Sequence, residues 1–362
     1  MALPFLSNST VKKRDSIIAV DLGGRTTKAV HLQRKADRYV LSGFAVLDAP
    51  IYEKTLSADM LGEHLKSVCH ALDTRTKFAT LVISANDSIV RHTEMPLMPI
   101  EDMRQVLKMN SKNYLQQDLP GYAFDCYITP PKAPAATAQT PDAKPKLPSG
   151  MQRHRVLVGG ARRQVVEDMQ EAIKNAGLIS DSVMPALLGP VNAFEMALPE
   201  VFAKENVALI DIGFKNTTIC ILKEGDLALS RVVNIGGDNL TADLATILSI
   251  SYAEAEGLKV GMTSEVQPHL EPTVATLGRE LRASIDFFEH QHDKTVSQVF
   301  LAGGTAGSEL ILQLLQAELM VECKTWNPTS FTQPALPPQQ TAELDAVASQ
   351  LTVAIGAAVA AI

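Results

Sequence analysis

The feature that most constrains the fold of this 362-residue chain is a short motif that occurs twice, centred on positions 21 and 211. In each copy an apolar run ends in an aspartate, a glycine follows two positions later, and a threonine follows six positions later. Each copy is followed by a second apolar strand, a turn and a third strand. A motif repeated at this separation predicts two structurally alike lobes, each presenting the same turn.

The residue types of the motif suit a turn that binds phosphate, although two purely structural turns are the alternative. Glycine lets a phosphate approach the backbone, and successive N–H groups in such a turn attract an anion. We expect Asp21 and Asp211 to hold Mg²⁺ through water, because a carboxylate cannot bind a phosphate directly and Mg²⁺ bridges the two. The other candidates are Gly23, Gly24, Arg25, Thr26, Thr27 and Lys28 in the first copy and Gly213, Asn216 and Thr217 in the second.

Two glycine pairs in the second half of the chain extend the candidate site. The run Gly303-Gly304-Thr305 lies between an apolar strand and a helix, where glycines let adenine and ribose lie against the backbone and a helix N-terminus favours phosphate. The pair Gly236-Gly237 stands at a second strand-to-helix junction. A tight turn explains the first pair without a ligand, and Asp238 or Asn239 at the second junction is also a suitable N-cap.

Composition and charge exclude several classes of protein. Hydrophobic residues make up 46% of the chain and charged residues 20%, which is typical of globular proteins and not of disordered or collagen-like ones. A net charge of −7 and an aromatic content of 5% disfavour a protein whose main role is to bind nucleic acid. The four cysteines lack the spacing of a metal or redox motif, so we expect buried free thiols.

Strand and helix patterns are mixed along the chain, which indicates an α/β fold. Residues 129–150 contain six prolines and little that can be buried, so they predict a flexible loop. Residues 346–362 are rich in alanine, fall short of a membrane span, and predict a buried helix. The apolar N-terminal run precedes the first basic residues, an order that does not fit a secretory signal.

The order of these motifs resembles the actin-like ATPase superfamily. Within it, the chain is similar to the PilM-like family of type IV pilus assembly proteins, a family related to FtsA, because residues 95–101 and 156–162 match its extra subdomain, called IC. The resemblance implies a two-lobed actin-like ATPase (ribonuclease H-like) fold with an FtsA/PilM-type extra subdomain. The implied division is an N-terminal segment (1–15), lobe I (16–83 and 164–205, subdomain IA), subdomain IC (84–163, with the loop 129–150) and lobe II (206–362, with subdomain IIA and a subdomain IIB at roughly 255–298).

The resemblance also implies further roles for individual residues. The helix of residues 281–288 is similar to one beside the nucleotide in the family, which makes Glu280 a candidate ATP contact, and residues 346–362 resemble the second helix that connects the lobes. The chain carries Arg25 in a loop where the family usually has serine. It carries Met184 and Pro185 where relatives commonly have an acidic residue, so we expect at most slow hydrolysis of ATP.

The function implied by the resemblance is that of an ATP- and Mg²⁺-binding cytoplasmic adaptor at the inner face of the inner membrane. Its partner would be the cytoplasmic tail of a PilN-like inner-membrane protein, with other pilus assembly proteins and self-association as further expectations. The helix of residues 101–117 is a candidate docking surface, although its apolar stripe also suits a core. The alternatives are an FtsA-like division scaffold, a small-metabolite kinase with Asp181 as base, and a relative that binds no nucleotide.

Overall fold

The computed structural model of the protein describes residues 14–50, 56–129, 153–262 and 265–362. The predicted flexible loop therefore lies outside the described residues except for Thr129, and so does most of the predicted N-terminal segment. The strands are β1 (Ser16–Leu22), β2 (Thr26–Lys35), β3 (Arg38–Asp48), β4 (Phe78–Ile83), β5 (Ser88–Pro96), β6 (Tyr122–Ile128), β7 (Arg153–Arg162), β8 (Ile179–Pro185), β9 (Asn206–Ile212), β10 (Thr217–Lys223), β11 (Asp226–Val233), β12 (Gln298–Ala302), β13 (Cys323–Thr325) and β14 (Thr332–Pro334). The helices are α1 (Ala58–Ala71), α2 (Ile100–Leu115), α3 (Arg163–Asn175), α4 (Leu188–Ala197), α5 (Pro199–Lys204), α6 (Gly237–Leu248), α7 (Tyr252–Gly261), α8 (Gln267–His292), α9 (Glu309–Leu319), α10 (Pro338–Val347) and α11 (Thr352–Ala361).

Lobe I is built on a six-stranded sheet in the order β14-β3-β2-β1-β4-β8. The antiparallel meander β1-β2-β3 continues through β1 into the parallel strands β4 and β8. Helices α1 and α3 pack together and cover the face that carries Ile18, Val20 and Leu81. Because β1 is buried on both faces, its sequence is a nearly continuous apolar run that ends at Asp21.

Lobe II repeats this arrangement in a five-stranded sheet in the order β11-β10-β9-β12-β13. Its meander β9-β10-β11 is antiparallel, and β12 runs parallel to β9. Strand β9 ends at Asp211 in the same way as β1 ends at Asp21, and helices α6, α8 and α9 cover one face. The two alike lobes predicted from the repeated motif are confirmed.

The end of the chain lies with lobe I, which differs from the predicted assignment of all of residues 206–362 to lobe II. Strand β14 pairs in parallel with β3, and α11 packs against β1, β2, β4 and α4. A three-residue strand in a proline-rich segment leaves too short a pattern to be read from sequence, so this return to lobe I was missed.

A third, smaller sheet forms the extra subdomain between β4 and α3. Its strands are antiparallel in the order β5-β7-β6, and α2 packs on one face. The apolar side chains of α2 at Met103, Leu107 and Leu115 are buried against this sheet. The apolar stripe of α2 is therefore core, as the alternative interpretation of the sequence held.

Helices α4 and α11 cross at two glycines in the centre of the molecule. A Cβ placed on Gly356 would lie 1.8 Å from the Gly189 carbonyl oxygen, so the two backbones are in direct contact. The helical stretch Pro338–Ala361 is long and apolar enough to cross a membrane by length and composition alone. Its apolar part, α11, is buried almost throughout, as expected of a core helix.

Candidate functional site

The two hairpin turns of the repeated motif meet across a cleft between the lobes. Asp21 pairs in register with Lys28 across β1 and β2, and Asp211 pairs with Thr218 across β9 and β10. The Lys28 Nζ lies 3.7 Å from the Asp21 Oδ2. A Cβ on Gly23 would lie 2.5 Å from that same Nζ, so the glycine makes room for the lysine beside the carboxylate.

The two aspartates interact electrostatically at the base of the cleft. Burial, together with the nearby charge of Asp21, raises the pKa of Asp211 to about 6, against the opposing charge of Lys28. Burial also raises the pKa of Asp21, against the charge and hydrogen bond of Lys28. Two partly buried carboxylates that share one lysine form a site where an additional cation would be stabilised.

A cavity of about 770 Å³ lies beside the two turns and is lined by both lobes, although neither Asp21 nor Asp211 is among its lining residues. Its volume is in the range of pockets that hold small molecules and cofactors. Of the predicted site residues, the cavity is lined by Arg25, Thr26, Lys28, Gly213, Gly237, Gly304 and Thr305. It is also lined by Phe214, Leu240, Glu256, Lys259, Val260, Gln267, Leu310 and Gln313, which the sequence analysis did not single out.

The remaining predicted glycines shape the cleft through close backbone contacts. Gly303 has a φ of +97°, and a Cβ there would lie 2.4 Å from the Asp211 Oδ1, so only glycine fits under that carboxylate. A Cβ on Gly236 would lie 2.4 Å from the Phe214 carbonyl oxygen, and the Gly213 N–H donates to the Asn216 carbonyl over 3.0 Å. The second turn is thus held tightly against the start of α6.

A polar network on α7 forms one wall of the cavity and was missed in the sequence. Lys259 Nζ donates to Glu256 Oε2 and to Thr241 Oγ1, each over 2.7 Å, and to the Gly237 carbonyl over 3.2 Å. Thr241 also donates to Glu256. The Glu–x–x–Lys spacing is that of an ordinary surface pair, so only the packing of α7 on α6 shows that it faces a cavity.

Four of the side chains predicted to contact ATP do not line the cavity: those of Thr27, Asn216, Thr217 and Glu280. Thr27 is buried behind the turn, with its Oγ1 2.8 Å from the His64 Nε2, and Thr217 donates to the Ile235 carbonyl over 2.7 Å. Side chains alternate along a strand, so Thr26 faces the cleft and Thr27 faces α1. Glu280 does not line the cavity, because it forms an ion pair with Arg231 over 2.6 Å on the outer side of α8.

The residues relevant to hydrolysis and to the kinase alternative lie apart from the cavity. Met184 is fully buried, and Asn192 Nδ2 approaches its sulfur at 3.7 Å. Asp181 is buried and accepts from Arg14 Nε over 2.9 Å, so its carboxylate is already neutralised by a cation. A carboxylate in such a pair is a poor general base, which disfavours the kinase alternative.

A magnesium ion fits the cleft only with water in its coordination shell. Within residues 14–50, 56–129, 153–262 and 265–362, no group of three acidic, histidine or cysteine side chains could hold a metal. The carboxylates of Asp21 and Asp211, close enough to interact electrostatically, supply oxygen donors of the kind that Mg²⁺ prefers, and Mg²⁺ usually keeps several waters. The donor set therefore fits a water-mediated Mg²⁺.

We expect Asp211→Asn to stabilise the folded protein at pH 7. The pKa of Asp211 is about 6 when folded against 3.8 ordinarily, so ionisation favours the unfolded chain progressively between pH 4 and pH 6. Asparagine removes that cost, which corresponds to about 1–3 kcal/mol at pH 7 and about half as much at pH 5. Urea unfolding at the two pH values measures it, with exposed Asp345→Asn as the control. A stabilisation that is the same at both pH values would contradict the raised pKa of Asp211.

Comparison with known proteins assigns this chain to a known family. The family described as "Type IV pilus assembly protein PilM" matches residues 139–362, which is more than half of the chain. The cell division protein FtsA of Bacillus subtilis is 31% identical over 118 residues, which cover 33% of this chain and 26% of FtsA. The matched region thus spans about a quarter of the length of that curated relative.

Two solved structures share the fold. The PilM-PilN type IV pilus biogenesis complex superposes with a TM-score of 0.79 at 21% sequence identity, covering 96% of this chain and 98% of the other. MreB 5 of Spiroplasma citri bound to AMPPNP superposes with a TM-score of 0.51 at 9% identity, covering 95% of each chain. At these identities the likeness shows the fold, which is that of the actin-like ATPases.

Proposed function

This chain belongs to the PilM family of type IV pilus assembly proteins, and from that premise we propose that it binds Mg-ATP between its lobes and docks the cytoplasmic tail of a PilN-like inner-membrane protein. It would do so in the cytoplasm at the inner face of the inner membrane, held there by the partner. The observation that carries the nucleotide part is the meeting of the two Asp-Gly turns at a cavity of about 770 Å³.

The lining of the cavity combines charged side chains with an apolar surface. Lys28 and Arg25 supply cations beside the turns, where the phosphates would lie, and Asp21 and Asp211 would hold Mg²⁺ through water. When bound, Mg²⁺ neutralises phosphate charge and bridges phosphate oxygens.

Part of the cavity lining consists of apolar side chains and glycine backbone. Leu240, Val260 and Leu310 offer apolar surface for a base beside Gly304 and Thr305. Glu256 and Lys259 add a hydrogen-bond acceptor and a cation, which suit a polar sugar, and the ion pair of Glu256 with Arg25 places them next to the first turn.

We expect ATP hydrolysis to be slow, below about one turnover per second, which is the lower end of the ordinary enzyme range. Catalysis would require a polar group that positions water, and the position where relatives commonly carry an acid holds buried Met184 and Pro185. Release of phosphate from ATP under saturating Mg²⁺ measures the rate. Turnover of several per second that is lost in Asp211→Asn would contradict this expectation.

Docking of the partner tail is proposed for the extra subdomain of β5, α2, β6 and β7. The edge strand β6 is partly closed to an added strand, because the Asp125 Oδ1 accepts the N–H of Cys126 over 2.8 Å and Arg104 binds that carboxylate. At the β5-to-α2 turn, Leu97 is 64% exposed and Ile100 is also exposed. An apolar tail segment would gain most by covering these side chains.

We expect Leu97→Asp to weaken binding of a PilN-like tail peptide about tenfold or more, the usual cost of losing an anchor residue in an interface. The wild-type affinity should be about micromolar, or about −8 kcal/mol, because the peptide is short. Fluorescence anisotropy of a labelled peptide measures both values. Met320→Asp is the matched control, since Met320 is an exposed apolar residue of lobe II. Equal binding by both variants and the wild type would place the docking site elsewhere.

A further inference from the structure

The tips of the two turns lie close together in this protein. A Cβ on Gly24 of lobe I would lie 3.1 Å from the Lys215 Cγ and 3.4 Å from the Phe214 Cδ1 of lobe II. The guanidinium carbon of Arg25 lies 5.9 Å from the centre of the Phe214 ring, within the range of a cation–π contact. The phosphate end of the cavity is thus spanned by protein contacts.

Arg25 extends this contact to the far wall of the cavity. Its Nη1 forms an ion pair with the Glu256 Oε1 on α7, so one side chain joins the first turn of lobe I to lobe II. Its backbone is fixed, because the Arg25 carbonyl accepts the Ala49 N–H over 2.9 Å. Only the side chain would have to move to break the connection.

Arg25 can leave the ion pair at little cost to Glu256. The Arg25 side chain is 48% exposed, whereas Glu256 is mostly buried and keeps two other partners, Lys259 and Thr241, on its second oxygen. Loss of Arg25 therefore leaves no orphaned buried carboxylate, which would be the costly outcome. An arginine fork pairs well with phosphate, and a polyphosphate carries more negative charge than one carboxylate.

We propose that the ion pair of Arg25 with Glu256 is a latch that holds the two lobes together, and that a bound nucleoside polyphosphate must draw Arg25 away from Glu256. Binding would exchange one connection between the lobes for another, with the phosphates in place of the Glu256 carboxylate. The latch between the lobes is independent of the proposed ATP function; only its displacement by phosphate rests on that function.

The latch is tested by the distance between spin labels on the two lobes, measured by double electron–electron resonance. The labels go on cysteines introduced at the exposed positions Met60 of lobe I and Ile247 of lobe II. Cys69 is replaced by serine in all variants, because it is the one native cysteine that is not buried.

Without nucleotide, the protein with the native Arg25 should give a single narrow distribution of label-to-label distances, centred on a short distance. Arg25→Ala should increase the open population about 5- to 30-fold, the change that corresponds to a loss of about 1–2 kcal/mol. Arg25→Lys keeps the positive charge but loses the planar guanidinium group. Its open population should therefore lie between those of the native protein and Arg25→Ala. Arg231→Ala removes the same charge from a surface ion pair with Glu280 and should leave the distance unchanged.

Addition of Mg-ATP should return Arg25→Ala to the narrow distance. The latch proposal is wrong if the distance distribution of Arg25→Ala stays narrow without nucleotide. It is also wrong if the native protein already shows the longer distances of open lobes. If Arg25→Ala opens and no ATP binds to any variant, the latch stands and the proposed nucleotide function fails.

Discussion

Asp21→Ala and Asp211→Ala should each weaken Mg-ATP binding about 10- to 100-fold, the usual effect of losing a group that orients a bound metal. Each aspartate stands at the end of a central strand, and the two lie close enough for the charge of Asp21 to raise the pKa of Asp211. Removal of one carboxylate leaves a single carboxylate to hold the hydrated Mg²⁺. It also leaves less negative charge near Lys28 to attract the metal. Isothermal titration calorimetry with Mg-ATP measures the change.

The metal dependence separates this effect from a general distortion of the cleft. In EDTA, where Mg²⁺ is absent, the wild type and both variants should bind ATP with similar weak affinity. Asp345→Ala, on the exposed face of α10, controls for the loss of one negative charge. Unchanged Mg-ATP affinity in both cleft variants would exclude the turns as the metal site.

The titration of Asp211 adds a signature to the same measurement. Below its pKa of about 6 the Asp211 carboxyl is protonated and neutral, so its attraction for Mg²⁺ is lost as the pH falls. Mg-ATP affinity should therefore decrease between pH 7 and pH 5, by up to about tenfold per pH unit below the pKa. Asp211→Asn should bind weakly at both pH values and lack this slope.

Gly356→Ala should destabilise the protein by about 3 kcal/mol or more, at the upper end of what overpacking a core costs. The new methyl group would lie 1.8 Å from the Gly189 carbonyl oxygen, and helices α4 and α11 would have to separate to accept it. Since α11 also packs on β1, β2 and β4, that separation would disturb the sheet of lobe I. The loss is measured as a shift of the urea midpoint and of Tm.

Gly257→Ala is the matched control for this prediction. Gly257 lies inside α7, and a Cβ there would meet nothing within 4 Å. Alanine should leave stability unchanged or raise it by about 0.5–1 kcal/mol, since glycine is the poorer helix former. If Gly356→Ala and Gly257→Ala unfold at the same urea midpoint, the crossing of α4 and α11 does not require glycine at position 356.

The parts of the fold that were predictable from sequence are those specified by local chemistry. An apolar strand that ends in Asp-x-Gly fixes a turn within a few residues, so Asp21, Asp211 and the glycines around them could be identified before the fold was known. Glu280 could not be placed in the same way. Its helix is amphipathic, and only tertiary packing decides that Glu280 faces Arg231 rather than the cavity.

Residues that reach the site from a distant part of the sequence were missed. Glu256 and Lys259 resemble a solvent-exposed helical pair, and their role as a cavity wall depends on the way α7 packs on α6. Phe214 stands within the second turn but has none of the residue chemistry expected of a phosphate loop. The cross-cleft pairing of Arg25 with Glu256 joins positions more than 200 residues apart, and the repeat gives no hint of it.

The packing of α11 on lobe I also determines when that lobe can finish folding during synthesis. Strands β1 and β2 emerge from the ribosome early, yet the helix that covers them is made of residues 352–361. At about 5–20 residues per second, roughly 15–60 s of translation separate the sheet from its cover. During that interval the apolar face of the first sheet is open to other chains, so lobe II has the opportunity to fold first. We therefore expect the nascent chain to bind chaperones mainly through its N-terminal third until residues 352–361 have left the ribosome.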